Sequence, residues 1–169
     1  MEYEVIYSDR RTLSLSVRDG KLVVRAPRKI SKSKIEEAIA SHKKWIENNI
    51  KKQTIKAKNH PEPTPEEEAG LRKEAREVLT AKTQKYADIM GIKYGRITIT
   101  GAKTRFGSCS SKGNISYSYR LMTYPEEAID YVVVHELSHI AEMNHSPRFY
   151  AVIEKVLPDY KERRKLLKM

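Results

Sequence analysis

The chain has 169 residues, one cysteine, 33 Lys and Arg against 22 Asp and Glu, and a formal net charge of +11. That length suits one domain with its own core, and a lone Cys109 excludes an intramolecular disulfide and fits a reducing compartment. No stretch approaches the roughly 20 apolar residues of a membrane span, and the start, MEYEVIYSDR, lacks the basic-then-apolar order of a secretory signal, so a cytoplasmic protein is expected.

The charge is uneven. Residues 1–60 carry 15 Lys and Arg against 7 Asp and Glu, whereas residues 61–169 carry 18 against 15. A basic N-terminal region of this kind attracts DNA through a salt-sensitive, sequence-independent term. The competing reading is a solvated surface that keeps the protein soluble.

Residues 3–27 read as a β-hairpin or meander. Thr12 to Val17 alternates, with Leu13, Leu15 and Val17 on one face, and Asp19-Gly20 signals a two-residue turn before Lys21 to Arg25. Residues 31–57 read as one amphipathic helix, with Ser33 and Glu36 at capping-box spacing and Ile35, Ile39, Ile46 and Ile50 as its apolar stripe. Its other face holds Lys43, Lys44, Lys51, Lys52, Lys56 and Lys58. Trp45 among them is either a core anchor or, if exposed, a platform on which a base can stack.

The stretch Asn59-His60-Pro61-Glu62-Pro63 is a break, short enough for a turn between helices. Thr64 then caps a helix with Pro65 at its first position and Glu66, Glu67 and Glu68 at its positive end. Leu71, Ala75, Val78, Leu79 and Tyr86 make its buried face, and Gly91 ends it. Ile97 to Thr100 alternates as a strand. Thr104 to Cys109 and Ile115 to Arg120 flank a turn at 110–114 and predict an antiparallel hairpin. A strand edge there, over 114–120, would pair with an extended peptide backbone.

Residues 131–145 carry the chemistry. His135-Glu136-Leu137-Ser138-His139 follows Ala128, Ile129, Val132 and Val133, whose spacing predicts a buried helix. Imidazoles four residues apart share one helix face and can reach one ion, and neutral imidazole suits Zn²⁺. Glu136 is rotated about 100° from His135, beside the ion rather than on it, where a carboxylate deprotonates a metal-bound water. A hydrolytic site needs a third protein ligand. His145 can supply it after a turn; Glu142, on the same helix face as the histidines, competes for the role. Three of the five histidines fall within these residues, a clustering that core or solvated histidines do not call for. Beyond them, Ser146 and Pro147 predict the cap and first residue of another helix, and Tyr160 to Met169 a basic helical tail.

The runs RFGSCSSKGNI at 105–115, DYVVVHELSH at 130–139, MNHS at 143–146 and LPDYKERR at 157–164 closely resemble the YgjP-like metallopeptidase family, zincin-type proteins related to the SprT-like and WLM groups. The resemblance implies an α+β zincin-like fold, with a twisted, mainly antiparallel sheet packed on helices that include the motif helix. It implies one domain over 1–169, in which a basic hairpin and helix at 1–60 precede a zincin core at 61–169. It also implies zinc on His135, His139 and His145, with Glu136 as catalytic acid and base. Phe106 stands where the family often has Trp. The spacing from His139 to His145 matches metzincins, but Glu142 replaces their turn glycine, which leaves Asn144 as the residue suited to positive φ.

The expected activity is therefore hydrolysis of peptide bonds by a zinc-activated water, with Tyr117, Tyr119 or Tyr150 as candidate oxyanion donors. Cys109 is read as a structural cysteine, with a zinc-binding latent switch as the alternative. The rival function is a basic nucleic-acid-binding protein with structural zinc or none, or a peptidase that acts on DNA-bound proteins. Glu136 argues against structural zinc, which takes a fourth protein ligand and needs no base.

Overall fold

The computed structural model describes residues 2–168 and divides the chain into two compact units, Met1–Glu62 and Pro63–Met169. Both mix strands and helices, so the class is α+β.

In the first unit, β1 (Tyr3–Ser8), β2 (Ser14–Arg18) and β3 (Lys21–Pro27) form a sheet of order β1-β3-β2. The β2–β3 hairpin turns at Asp19 and Gly20, with φ of 49° and 73°. Positive φ at both central residues matches the right-handed twist of the flanking strands. β1 returns parallel to β3, pairing Tyr3 with Leu22, so the sheet is mixed rather than a meander.

The helix expected over 31–57 is two: α1 (Lys32–Ser41) and α2 (Lys43–Asn59). His42 leaves helical geometry at φ −108°, ψ 12°, and its Nδ1 and the Ser41 hydroxyl both bond the Ala38 carbonyl. Such side-chain bonds compete with the backbone ladder. Ser31, not Ser33, caps α1, accepting from Lys34 N. Ile35 and Ile46 are buried with Leu22, Val24 and Ala26 in this unit's core. Gln53 ties α2 to the hairpin, accepting from Gly20 N at 3.0 Å and donating to Val17 O at 2.7 Å. Trp45 is no core anchor: it lies on the solvent face of α2 and is 45% exposed.

In the second unit, α3 (Pro65–Met90) begins with a complete capping box between Thr64 and Glu67 and closes on left-handed Gly91. It packs Ala75, Leu79, Tyr86 and Ala87 into a core shared with α4 (Glu126–Ala141). β4 (Ile97–Thr100), β5 (Gly107–Cys109) and β6 (Ile115–Ser118) form a second sheet, of order β4-β6-β5. β6 runs parallel to β4 and antiparallel to β5. The fold therefore has two small mixed sheets, not one mainly antiparallel sheet. A central strand flanked by one parallel and one antiparallel neighbour recurs in each.

The hairpin partners are as the turn residues predict, but β6 stops at Ser118 and a 3-10 turn, Tyr119–Thr123, follows. β6 is also the central strand, so both its edges are paired and the expected docking of a peptide along 114–120 is closed. The edge open to pairing beside α4 belongs to β5.

α5 (Pro147–Val156) has the predicted cap, Ser146 accepting from Phe149 N, and α6 (Tyr160–Leu166) follows it. A polar cluster holds α3, α4 and α6 in place. Lys82 Nζ lies 2.7 Å from Asp130 and 2.6 Å from Glu126, and Arg163 reaches Asp130 at 3.5 Å and Asp159 at 2.8 Å. No helix among the described residues is long and apolar enough to cross a membrane.

Candidate metal centre

α4 is buried along nearly its whole inward face, from Ala128 to Ser138. Its i, i+4 spacing sets His135 and His139 one turn apart, with ring centroids 5.0 Å apart. The helix ends at Ala141. Glu142 takes an extended conformation, φ −139° and ψ 103°, and starts the reversal that returns His145 to the pair. Asp19 is the sole non-glycine described residue with positive φ, so Asn144 makes the turn without the left-handed conformation expected of it. The imidazole nitrogens of His135, His139 and His145 all lie within 4.8 Å of one another, and this group does not include Glu142.

His135 Nε2 and His145 Nε2 are 3.2 Å apart. Two nitrogens each about 2.05 Å from a tetrahedral zinc would stand roughly 3.3 Å apart, so this pair fits the ion as it stands, and three imidazoles are a donor set that zinc takes. Burial, then the charges of His139, His145 and Arg164, hold the His135 pKa down to about 3. Burial and then His145 lower that of His139. Both rings are therefore neutral at pH 7, as ligation requires.

Two aromatic residues not singled out in the sequence support this set. Phe149, fully buried at the start of α5, packs against all three rings at centroid distances of 4.9, 4.6 and 4.8 Å. The Ser146 cap orients that first turn, the local signal that could have pointed to it. The Tyr131 hydroxyl lies 3.4 Å from His135 Nδ1, one turn earlier on α4. With Nε2 as ligating atom, Nδ1–H donates to that hydroxyl and sets the ring.

Glu136 sits beside the histidines, outside the metal-capable group and 5% exposed. Burial pushes its pKa up to about 7, and Arg105 partly offsets this. Its carboxyl group lies against β5: a Cβ at Gly107 would stand 2.5 Å from Oε1 and 2.7 Å from Cδ. From the sequence alone Gly107 is legible only as part of a strand. A cleft of about 290 Å³ opens along His135, Glu136 and Gly107.

The tyrosine candidates separate. Tyr117 is fully buried with its hydroxyl 3.1 Å from Thr83, and Tyr119 points to Glu68 at 3.1 Å, so neither serves this centre. Tyr150 remains near it, 6.4 Å from His145 between ring centroids. Cys109 is half-buried on β5, and burial followed by the charge of Glu136 raises its pKa.

The model of the YgjP-like metallopeptidase domain matches residues 11–71 and 65–169. The chain belongs to the YgjP-like metallopeptidase family. Two solved metallopeptidase zymogens are similar to this family member. Abylysin of Pyrococcus abyssi is 26% identical, with TM-score 0.49, over 53% of this chain and 90% of its own. Jannalysin of Methanocaldococcus jannaschii is 19% identical, with TM-score 0.47, over 53% and 92%. No curated protein matches the chain.

Proposed function

We propose that this protein is a zincin-type, zinc-dependent peptidase with His135, His139 and His145 as ligands and Glu136 as general base. The convergence of three imidazoles beside one buried carboxylate carries the reading. Bound zinc would supply Lewis-acid polarisation of a carbonyl and a water of lowered pKa. Glu136 takes the proton of the attacking water and delivers it to the leaving amine. The β5 edge holds an extended substrate backbone next to Glu136, in place of the 114–120 edge. Tyr150 is the remaining tyrosine candidate for the developing oxyanion.

Elemental mass spectrometry on wild type, His145→Ala, Glu142→Ala and Glu136→Gln tests the site. Near one zinc per chain is expected in wild type, Glu142→Ala and Glu136→Gln, with loss in His145→Ala and loss of peptide hydrolysis in Glu136→Gln. Zinc retained by His145→Ala and lost by Glu142→Ala would transfer the third ligand to Glu142.

A second reading, polyanion contact through the first unit, rests on the outward face of α2. Trp45 and Ile55, 45% and 48% exposed, share that face with exposed Lys44, Lys51, Lys52 and Lys58, and Glu47 at its border lies 4.0 Å from Lys43. Two apolar residues some 15 Å apart along the axis do not make a membrane-binding stripe, whereas a base stacks on one indole. Trp45 is the single tryptophan, so its fluorescence reports binding of single-stranded DNA directly. Quenching that disappears with added salt and in Lys44→Ala/Lys52→Ala is the expected outcome; no quenching at low salt would end this reading.

A further inference from the structure

The cleft beside Glu136 has apolar walls, Phe106, Val132 and Leu167, and two cationic residues at its rim, Arg164 and Lys168. Glu136 is its sole acid among the described residues. Arg164 sits in α6 between two basic residues that are already engaged: Arg163 is held by Asp159 at 2.8 Å, and Lys165 by Glu162 at 2.7 Å. No carboxylate pairs with Arg164 among the described residues. Its charge bears on His135 and Tyr131, which sets it on the histidine side of the cleft, while Arg105 is the cation that acts on Glu136. An exposed guanidinium without an acid, over a partly apolar cleft, presents a planar fork of donors suited to a carboxylate.

We propose that Arg164, supported by Lys168, forms a carboxylate-recognising subsite, so that the preferred peptides carry a negative group close to the bond cleaved. The inference rests on the peptidase reading and specifies its substrate class. The negative group is either an acidic side chain or the free C-terminal carboxylate of the peptide. The position of Arg164 on the cleft, rather than the general positive charge of the chain, would confer the preference.

Binding to zinc-loaded Glu136→Gln protein, which holds peptide without turnover, tests this by fluorescence anisotropy. The probes are fluorescein-labelled, C-terminally amidated Ala/Gln hexapeptides in which one Glu is walked through every position, plus the neutral peptide with a free C-terminus. The expected result is at least tenfold tighter binding for Glu over Gln at one position, or for the free carboxylate over the amide, which also identifies the source. Adding Arg164→Ala abolishes that preference and leaves the neutral amidated peptide within about twofold. Adding Arg164→Glu turns it toward Lys at the same position. Lys44→Ala/Lys52→Ala, which lowers the net charge of the chain through the first unit alone, leaves it intact.

Equal binding of Glu and Gln peptides throughout, or a preference that survives Arg164→Ala, would overturn the subsite. Cleavage of the neutral peptide by wild type tests the peptidase reading separately. Cleavage without acidic preference would remove only the subsite, and an Arg164-dependent preference without any cleavage would remove only the peptidase.

Discussion

The carboxyl group of Glu136 lies against the backbone of Gly107, so close that a Cβ on Gly107 would stand 2.7 Å from its Cγ and Cδ as well as 2.5 Å from Oε1. Because Glu136 is buried, its side chain has little room to yield. Gly107→Ala should displace the proposed base by about an ångström while leaving the three histidines in place. A displacement of that size lowers kcat about 100-fold. Steady-state kinetics alongside zinc analysis checks this: zinc content should be unchanged, and an unchanged kcat would show that the contact does not position the base.

Tyr131 should act on zinc through His135. Tyr131→Phe removes the hydroxyl 3.4 Å from Nδ1 and little else. Losing such a partner typically weakens metal affinity about tenfold. Competition with a chromogenic chelator measures it; an unchanged zinc Kd would reduce the tyrosine to packing.

His135 and Glu136 should give the metal-free protein opposite dependences of stability on pH. His135, pKa about 3 folded and ~6.5 unfolded, binds its proton first in the unfolded chain, so its contribution is lost as pH falls from 6.5 toward 3. Glu136, about 7 folded against a model value of 4.5, keeps its proton longer in the folded chain, so its contribution is lost as pH rises from 4.5 toward 7. Between about 4.5 and 6.5 the two slopes oppose each other. Relative to wild type, His135→Gln should lose stability with rising pH across that window, and Glu136→Gln should gain it. Each slope is at most about 1.4 kcal/mol per pH unit. Urea denaturation at a series of pH values reads the differences, and parallel curves for all three proteins would refute the assignment.

Asp130 should matter far more to stability than Glu126, although both contact Lys82. The Lys82 and Asp130 side chains are 14% and 13% exposed, while Glu126 is 75% exposed. Removing one partner of a mostly buried pair costs about 3 kcal/mol, whereas a surface pair contributes less than about 1 kcal/mol. Asp130→Asn and Glu126→Gln compared by urea denaturation should show that gap. Equal losses would place the weight of the cluster elsewhere.

Features set by residues within a turn of one another could be read from the chain alone. They include the histidine pair at i and i+4 with Glu136 between them, the caps at Thr64 and Ser146, and the turn at Asp19-Gly20. Each depends on helical or hairpin geometry that neighbouring residues impose. The division of α1 from α2 was missed because His42 and Ser41 satisfy a carbonyl in a way the Ile periodicity does not register. What the tertiary structure decided lies between residues far apart in sequence. Strand order buried both edges of β6 and left that of β5 beside Glu136. The reversal after Ala141 brought His145, and not Glu142, to the histidine pair. Pairing of Arg163 and Lys165 left Arg164 on the cleft without an acid. Hydrophobic pattern and charge count are the same whichever strand is central and whichever arginine is paired; only packing of the assembled chain separates those alternatives.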